Sequence, residues 1–121
     1  MVESPYKGNN NWKTVERNLA YARMCMSDCI KRGEKPYASH LLLTQSGVTN
    51  DMDSVQRELG MRVGLAWAEC AKKTVVYTDL GISDGMRHGI RDADLFERAV
   101  EMRTLDVTAA EIDVALALEQ F

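Results

Sequence analysis

Three cysteines and two histidines in 121 residues leave little material for a disulfide framework or a metal centre. An odd number cannot pair completely, and Cys25 and Cys29 stand four apart inside an expected helix, without the geometry of a Cys-x-x-Cys clip. His40 and His88 fall in unrelated segments, so neither completes a ligand set with the thiols. Buried thiols in a reducing compartment are the expectation, with no metal. No apolar run approaches the roughly 18 residues of a membrane span, and no charged-then-apolar leader is visible, which points to a cytoplasmic protein away from membranes. Strong positive charge is lacking too. A net charge of −3 does not supply the dense Lys and Arg surface that a nucleic-acid polymer requires, whereas a small phosphate-bearing ligand needs only a few cations placed locally. Internal repeats and low-complexity segments are absent.

What is present is an alternation of strands and helices in a chain that is 45% hydrophobic, enough for one compact domain over residues 1–121. A very short extended piece opens the chain, stopped by Pro5 and followed by a turn at Gly8. Asn11 caps a helix that carries Val15, Leu19, Ala22, Met26, Cys29 and Ile30 at helical spacing up to Gly33. "KPYASHLLL" predicts a strand from about Pro36 to Leu42 and "TQSGVTND" a loop. Asp53 with Gln56 forms a capping box for a helix whose apolar stripe is Leu59, Val63, Ala66 and Cys70. "TVVYTD" predicts the clearest strand, about Thr74 to Thr78. Ser83 caps a helix from Asp84 to about Arg91, a further turn or two follow, and a strand runs from about Val100 to Leu105. Thr108 and Glu111 form a second capping box, opening a C-terminal helix over about 108–120 that includes Ile112, Ala115, Leu116 and Glu119.

Four strand–helix pairs in succession predict right-handed crossovers and a parallel sheet of about four strands with helices on both faces. Such sheets bind ligands at the carboxyl ends of their strands. Three segments are expected there: "SPYKGNNN", "TQSGVTNDMDSVQRE" and "DLGISDGMR". In the last, Gly81 and Gly85 permit close backbone approach, a helix starting at Ser83 or Asp84 aims N–H groups at an anion, and Arg87 lies in its first turn. The ordinary reading is a tight turn that needs glycine, and the pattern is not the Gly-x-Gly-x-x-Gly dinucleotide fingerprint, so no cofactor is implied. In the first segment Pro5 stiffens the loop, Tyr6 offers a stacking face and Lys7 a cation, beside the plain alternative of a solvated loop. His40 is either a base or a ligand contact near the second strand's end, or a hydrogen-bonded structural histidine. Arg57 and Glu58 face the same edge or form a solvated pair. Gly60, Gly64 and Ala68 form a small-residue stripe that lets a backbone come close, either the protein's own or a neighbouring subunit's.

The segments "SPYKG", "ERNLAYAR", "PYASHLL", "RELGMRVGLAW" and "VVYTDLGISDGMRHGI" together resemble the nucleoside 2-deoxyribosyltransferase-like superfamily, in particular its small bacterial and phage branch, over about residues 2 to 105. The resemblance implies a Rossmann-like or flavodoxin-like sheet, a homo-oligomer, and a nucleoside or nucleotide site. Ser4, Pro5, Tyr6, Lys7, Gly8, His40, Arg57, Asp79, Gly81, Ser83, Asp84, Gly85, Met86 and Arg87 are its expected ligand-binding residues. It also implies a glutamate nucleophile at or beside Gly89, where this sequence has no carboxylate. Asp84 and Glu58 are the acids that could substitute, from other backbone positions. The leading expectation is therefore a nucleotide-ligand binder, a sensor or phage-type sequestering protein for nucleotide or ADP-ribose-derived signals. The alternatives are a glycosidase or deoxyribosyltransferase-like enzyme with a relocated carboxylate, and a structural oligomer with a vestigial pocket.

Overall fold

A computed structural model describes residues 1–7 and 11–118. Gly8, expected in the first loop, and Glu119, expected in the last helix, lie outside the described residues. The elements run β1 (Val2–Glu3), α1 (Trp12–Lys31), α2 (Ser39–Leu42), α3 (Ser54–Ala68), β2 (Lys73–Tyr77), α4 (Asp84–Leu95), β3 (Ala99–Arg103) and α5 (Ala109–Ala117). Local signals account for most boundaries. The Asn11 side chain accepts from Lys13 N at 2.9 Å to start α1, and Gly33 at φ +80 follows its end. Asp53 and Thr108 cap α3 and α5 in the same way. Gln56 does not close the expected capping box, because its Oε1 accepts instead from Asn50 N at 2.8 Å and ties down the preceding loop.

The sheet is parallel and has three strands in the order β1-β2-β3, with Val2 beside Val75, Glu3 beside Val76 and Tyr77 beside Arg103. This corrects the expected count of about four. The segment predicted as a strand from Pro36 to Leu42 makes one strand-like bond, Val2 N to Tyr37 O at 2.8 Å, and then turns into the four-residue helix α2. Pro36 brings no N–H, and β1 is only two residues long, so nothing remains for residues 39–42 to pair with. The Ala38 carbonyl accepts from Leu41 N and Leu42 N instead, both at 3.1 Å.

Alternation along the strands sorts the core. Val2, Val75 and Tyr77 join Ala20, Tyr21, Cys25 and Cys29 of α1 and Ile112 of α5 in one buried cluster. Glu3, Thr74 and Val76 point the other way, towards the face that carries α4 with its buried Met86, Gly89 and Ala93. Helices therefore cover both faces, as the alternation predicts. Helix α3 is turned from its expected orientation: Leu59 and Val63 are 50% and 44% exposed and Cys70 is exposed, whereas Gly64 and Ala68 are buried. A Cβ at residue 64 would stand 2.6 Å from Ser39 Cβ, so at Gly64 the small-residue stripe admits the chain's own α2. Cys25 and Cys29 are buried as expected and Cys70 is not. None of the described helices is long and apolar enough to cross a membrane.

Candidate functional site

Between the carboxyl end of β1, helix α2, helix α3 and the start of α4 lies a cavity of about 400 Å³. It sits where the chain changes direction across the sheet, since residue 37 flanks β1 on one side and β2 on the other. β1 delivers Glu3 and Ser4 to it, and the loop beyond brings Tyr6 and Lys7. Asn18 of α1 holds that loop by donating to the Tyr6 carbonyl at 2.8 Å. From α2 comes His40, whose Nε2 shares a hydrogen bond of 2.7 Å with the Ser4 hydroxyl. Burial lowers the His40 imidazole to a pKa of about 4, which leaves it neutral at ordinary pH.

Helix α3 contributes an apolar wall, Met61 and Leu65, and one cation. That cation is Arg57, paired at 2.8 Å with Asp51, and the two side chains are 27% and 12% exposed. Its Nη2 also comes within 3.7 Å of the place where a Cβ on Gly85 would stand, which sets the guanidinium against the first turn of α4. Ser83 caps α4, its hydroxyl accepting from Met86 N at 3.3 Å while its own N–H is directed to Met86 Sδ at 3.3 Å. Gly81, at φ +85, makes the turn into this cap. A cation paired with Asp51 and a helix N-terminus carrying Asp84 in its first turn thus face one volume.

The floor of the cavity is Glu3, 9% exposed. Its carboxyl lies directly against Gly89 of α4, where any Cβ would overlap it. A carboxyl contributed from β1 therefore occupies the space that a side chain at residue 89 would enter. Burial raises Glu3 to a pKa of about 8, against the opposing influence of the Met1 ammonium.

Of the residues expected from sequence, Ser4, Tyr6, Lys7, His40, Arg57, Ser83, Asp84, Gly85 and Met86 line this cavity. Pro5 is buried behind the loop and Gly81 shapes the turn, and neither lines the wall. Arg87 is 58% exposed outside it, paired at 3.0 Å with Asp84. Glu58 is 69% exposed on the outer side of α3, paired at 3.1 Å with Arg62, away from the cavity. Asp79 is a structural clasp. Its carboxylate accepts from Tyr21 OH at 2.5 Å, Leu105 N at 2.9 Å and Val107 N at 3.2 Å. Burial opposes its ionisation, but these hydrogen bonds outweigh burial and hold the carboxyl below its ordinary value. Sequence reasoning missed Glu3 and Asp51. The available signal for Glu3 was a lone acid on a buried strand, one residue before "SPYKG". Among the described residues no group of three His, Cys, Asp or Glu is placed to hold a metal ion.

Residues 1–103 match a family described as a domain of unknown function (DUF7768), which leaves α5 outside the match. No curated protein matches the chain, and no solved structure does.

Proposed function

We propose, for a chain that belongs to the DUF7768 family, that this cavity binds a nucleotide-type ligand, in the manner of a phage-type sensor or sequestering protein for nucleotide or ADP-ribose-derived signals. The observation that carries the reading is Arg57 set against the first turn of α4 inside a cavity that also has an apolar wall and a polar floor. A phosphate fits the guanidinium and the helix N–H groups, and a base fits against Met61, Leu65 and Met86. Arg57 takes the phosphate role that the sequence suggests for Arg87, and Lys7 at the rim supplies a second cation. A second reading, an N-glycosidase or deoxyribosyltransferase-like enzyme with a relocated carboxylate, is favoured by Glu3 and not by Asp84 or Glu58, which are exposed and ion-paired. The homo-oligomer implied by the resemblance has its best surface on the outside of α3, where Val55, Leu59, Val63 and Trp67 are exposed at four-residue spacing. Light scattering reads that state directly.

The test is a thermal-shift screen of nucleosides, their phosphates and ADP-ribose-type compounds, in which a ligand at about 100 times its Kd adds roughly 2.7 kcal/mol. Arg57→Ala is expected to weaken a phosphorylated ligand by about 1.5–3 kcal/mol and to leave the bare nucleoside nearly unchanged. Equal losses for nucleotide and nucleoside overturn the phosphate assignment. Release of free base from any of these compounds replaces the binding reading with the enzymatic one.

A further inference from the structure

We propose that Glu3 recognises the sugar hydroxyls of a ribose 5-phosphate unit whose phosphate sits at Arg57 and the start of α4. The proposal rests on the nucleotide reading above and names the part of the ligand that meets the cavity floor.

Glu3 is the outlier among the buried polar side chains. Those of the described residues are Glu3, Ser4, Asn18, Thr74 and Arg103. Ser4 is bonded to His40, Asn18 to the Tyr6 carbonyl, Thr74 to Arg98 and Arg103 to Glu34. No hydrogen bond or ion pair from the described residues reaches the Glu3 carboxyl. Because it lines the cavity, the carboxyl keeps its hydrogen-bonding capacity for something that enters.

Helix α4 measures the distance to that occupant. Arg57 meets it at residue 85 and Glu3 meets it at residue 89. Four residues of helix advance about 6 Å, so the anion position and the carboxyl are one turn apart along the same face. That is the span from a 5-phosphate to the ring hydroxyls of the same sugar, and it falls short of the far edge of a base. The hydrogen-bonding types also match. The charged groups acting on Glu3 are the Met1 ammonium and Asp92 of α4, which pairs with Arg98 at 3.2 Å, and His40 of α2 and His88 of α4 line the same cavity. Burial dominates these and keeps the carboxyl protonated at neutral pH, when it gives one hydrogen bond and accepts another. A pair of vicinal hydroxyls does the same.

Titration calorimetry with ribose 5-phosphate, 2-deoxyribose 5-phosphate and inorganic phosphate tests this, the two esters from about pH 7.5 to 9.5, where their phosphate has already lost its second proton, and inorganic phosphate only at the upper end of that range. In the wild type, ribose 5-phosphate binds more tightly than the other two and loses affinity as the pH rises through about 8. Glu3→Gln keeps a neutral donor and acceptor, so it retains the affinity and abolishes the pH dependence. Glu3→Ala weakens ribose 5-phosphate by about tenfold and leaves inorganic phosphate unchanged. If Glu3→Ala binds both probes like the wild type, the sugar assignment fails while the phosphate site stands. If no probe binds the wild type, the nucleotide reading fails with it.

Discussion

Two strands of this sheet end in a buried ionisable residue, and the two ends are treated in opposite ways. Arg103 closes β3 on the face under α1, at 7% exposure, and every part of its guanidinium is engaged. Glu34 accepts from both Nη atoms at 2.7 Å, Tyr77 OH lies at 3.2 Å, and Glu101 binds Nε. The network continues outward, since Tyr77 donates to Asp28 at 2.8 Å and Lys73 pairs with Glu34 at 2.9 Å. Hydrogen bonds from Arg103 and Lys73 hold Glu34 down at a pKa of about 2. Glu3 closes β1 on the opposite face, also buried, and no hydrogen bond or ion pair from the described residues reaches it. A buried charge that is fully paired specifies the fold, and a neutral carboxyl beside a cavity is available to a ligand.

The contrast is most severely tested by removing the paired charge. Arg103→Leu leaves Glu34 with Lys73 alone and takes one bond from the Tyr77 hydroxyl, and is expected to cost about 3 kcal/mol in urea unfolding. A cost below about 1 kcal/mol means that the network is not what secures the end of β3. The next effect has the opposite sign. Glu3 binds its proton more tightly in the folded chain, at a pKa of about 8 against 4.5, so its contribution is intact below about pH 4.5 and is lost as the pH rises through 8. Glu3→Gln should therefore match the wild type near pH 4 and exceed it by a few kcal/mol at pH 9. His40 tilts both curves the other way, losing stability as the pH falls from about 6.5 towards 4, and cancels in the difference. A constant difference across the range removes the claim that Glu3 is buried neutral. The smallest effect concerns the glycine that makes room for it. In a Glu3→Ala background, Gly89→Ala should gain about 0.5–1 kcal/mol of helix stability, and in the wild type less or nothing, because the new methyl group must displace the carboxyl. Equal gains in both backgrounds mean that Glu3 does not lie against α4.

The elements that local chemistry decides are readable in the sequence. Asn11 and Gly33 bracket α1, the β-branched run makes β2, and Ser83 starts α4 at the expected residue. Residues 36–42 were not readable, because their conformation depends on the length of β1 and on the bond between Ser4 and His40, neither of which is local. Helix α3 failed for a different reason. Periodicity reveals an apolar stripe but not which side packs, and Gly64 packs because it has no side chain for a hydrophobic pattern to register. The cavity edge was found through its glycines and the "SPYKG" loop. Its floor was missed because the burial of Glu3 is set by Gly89, far away in the chain, and a two-residue strand shows no alternation from which to infer a facing direction.

The single backbone bond between Val2 and Tyr37 also governs how this molecule meets other polypeptides. A sheet can be extended by a foreign strand wherever an edge offers a row of open N–H and C=O groups. On the β1 side that row is only two residues long and already carries a Pro36-led cover, so it cannot template an incoming chain. The opposite margin, β3, is five residues long, with Val100 and Met102 exposed. Strand-by-strand growth, whether in aggregation or in the capture of an extended peptide, is thereby restricted to one side of the protein.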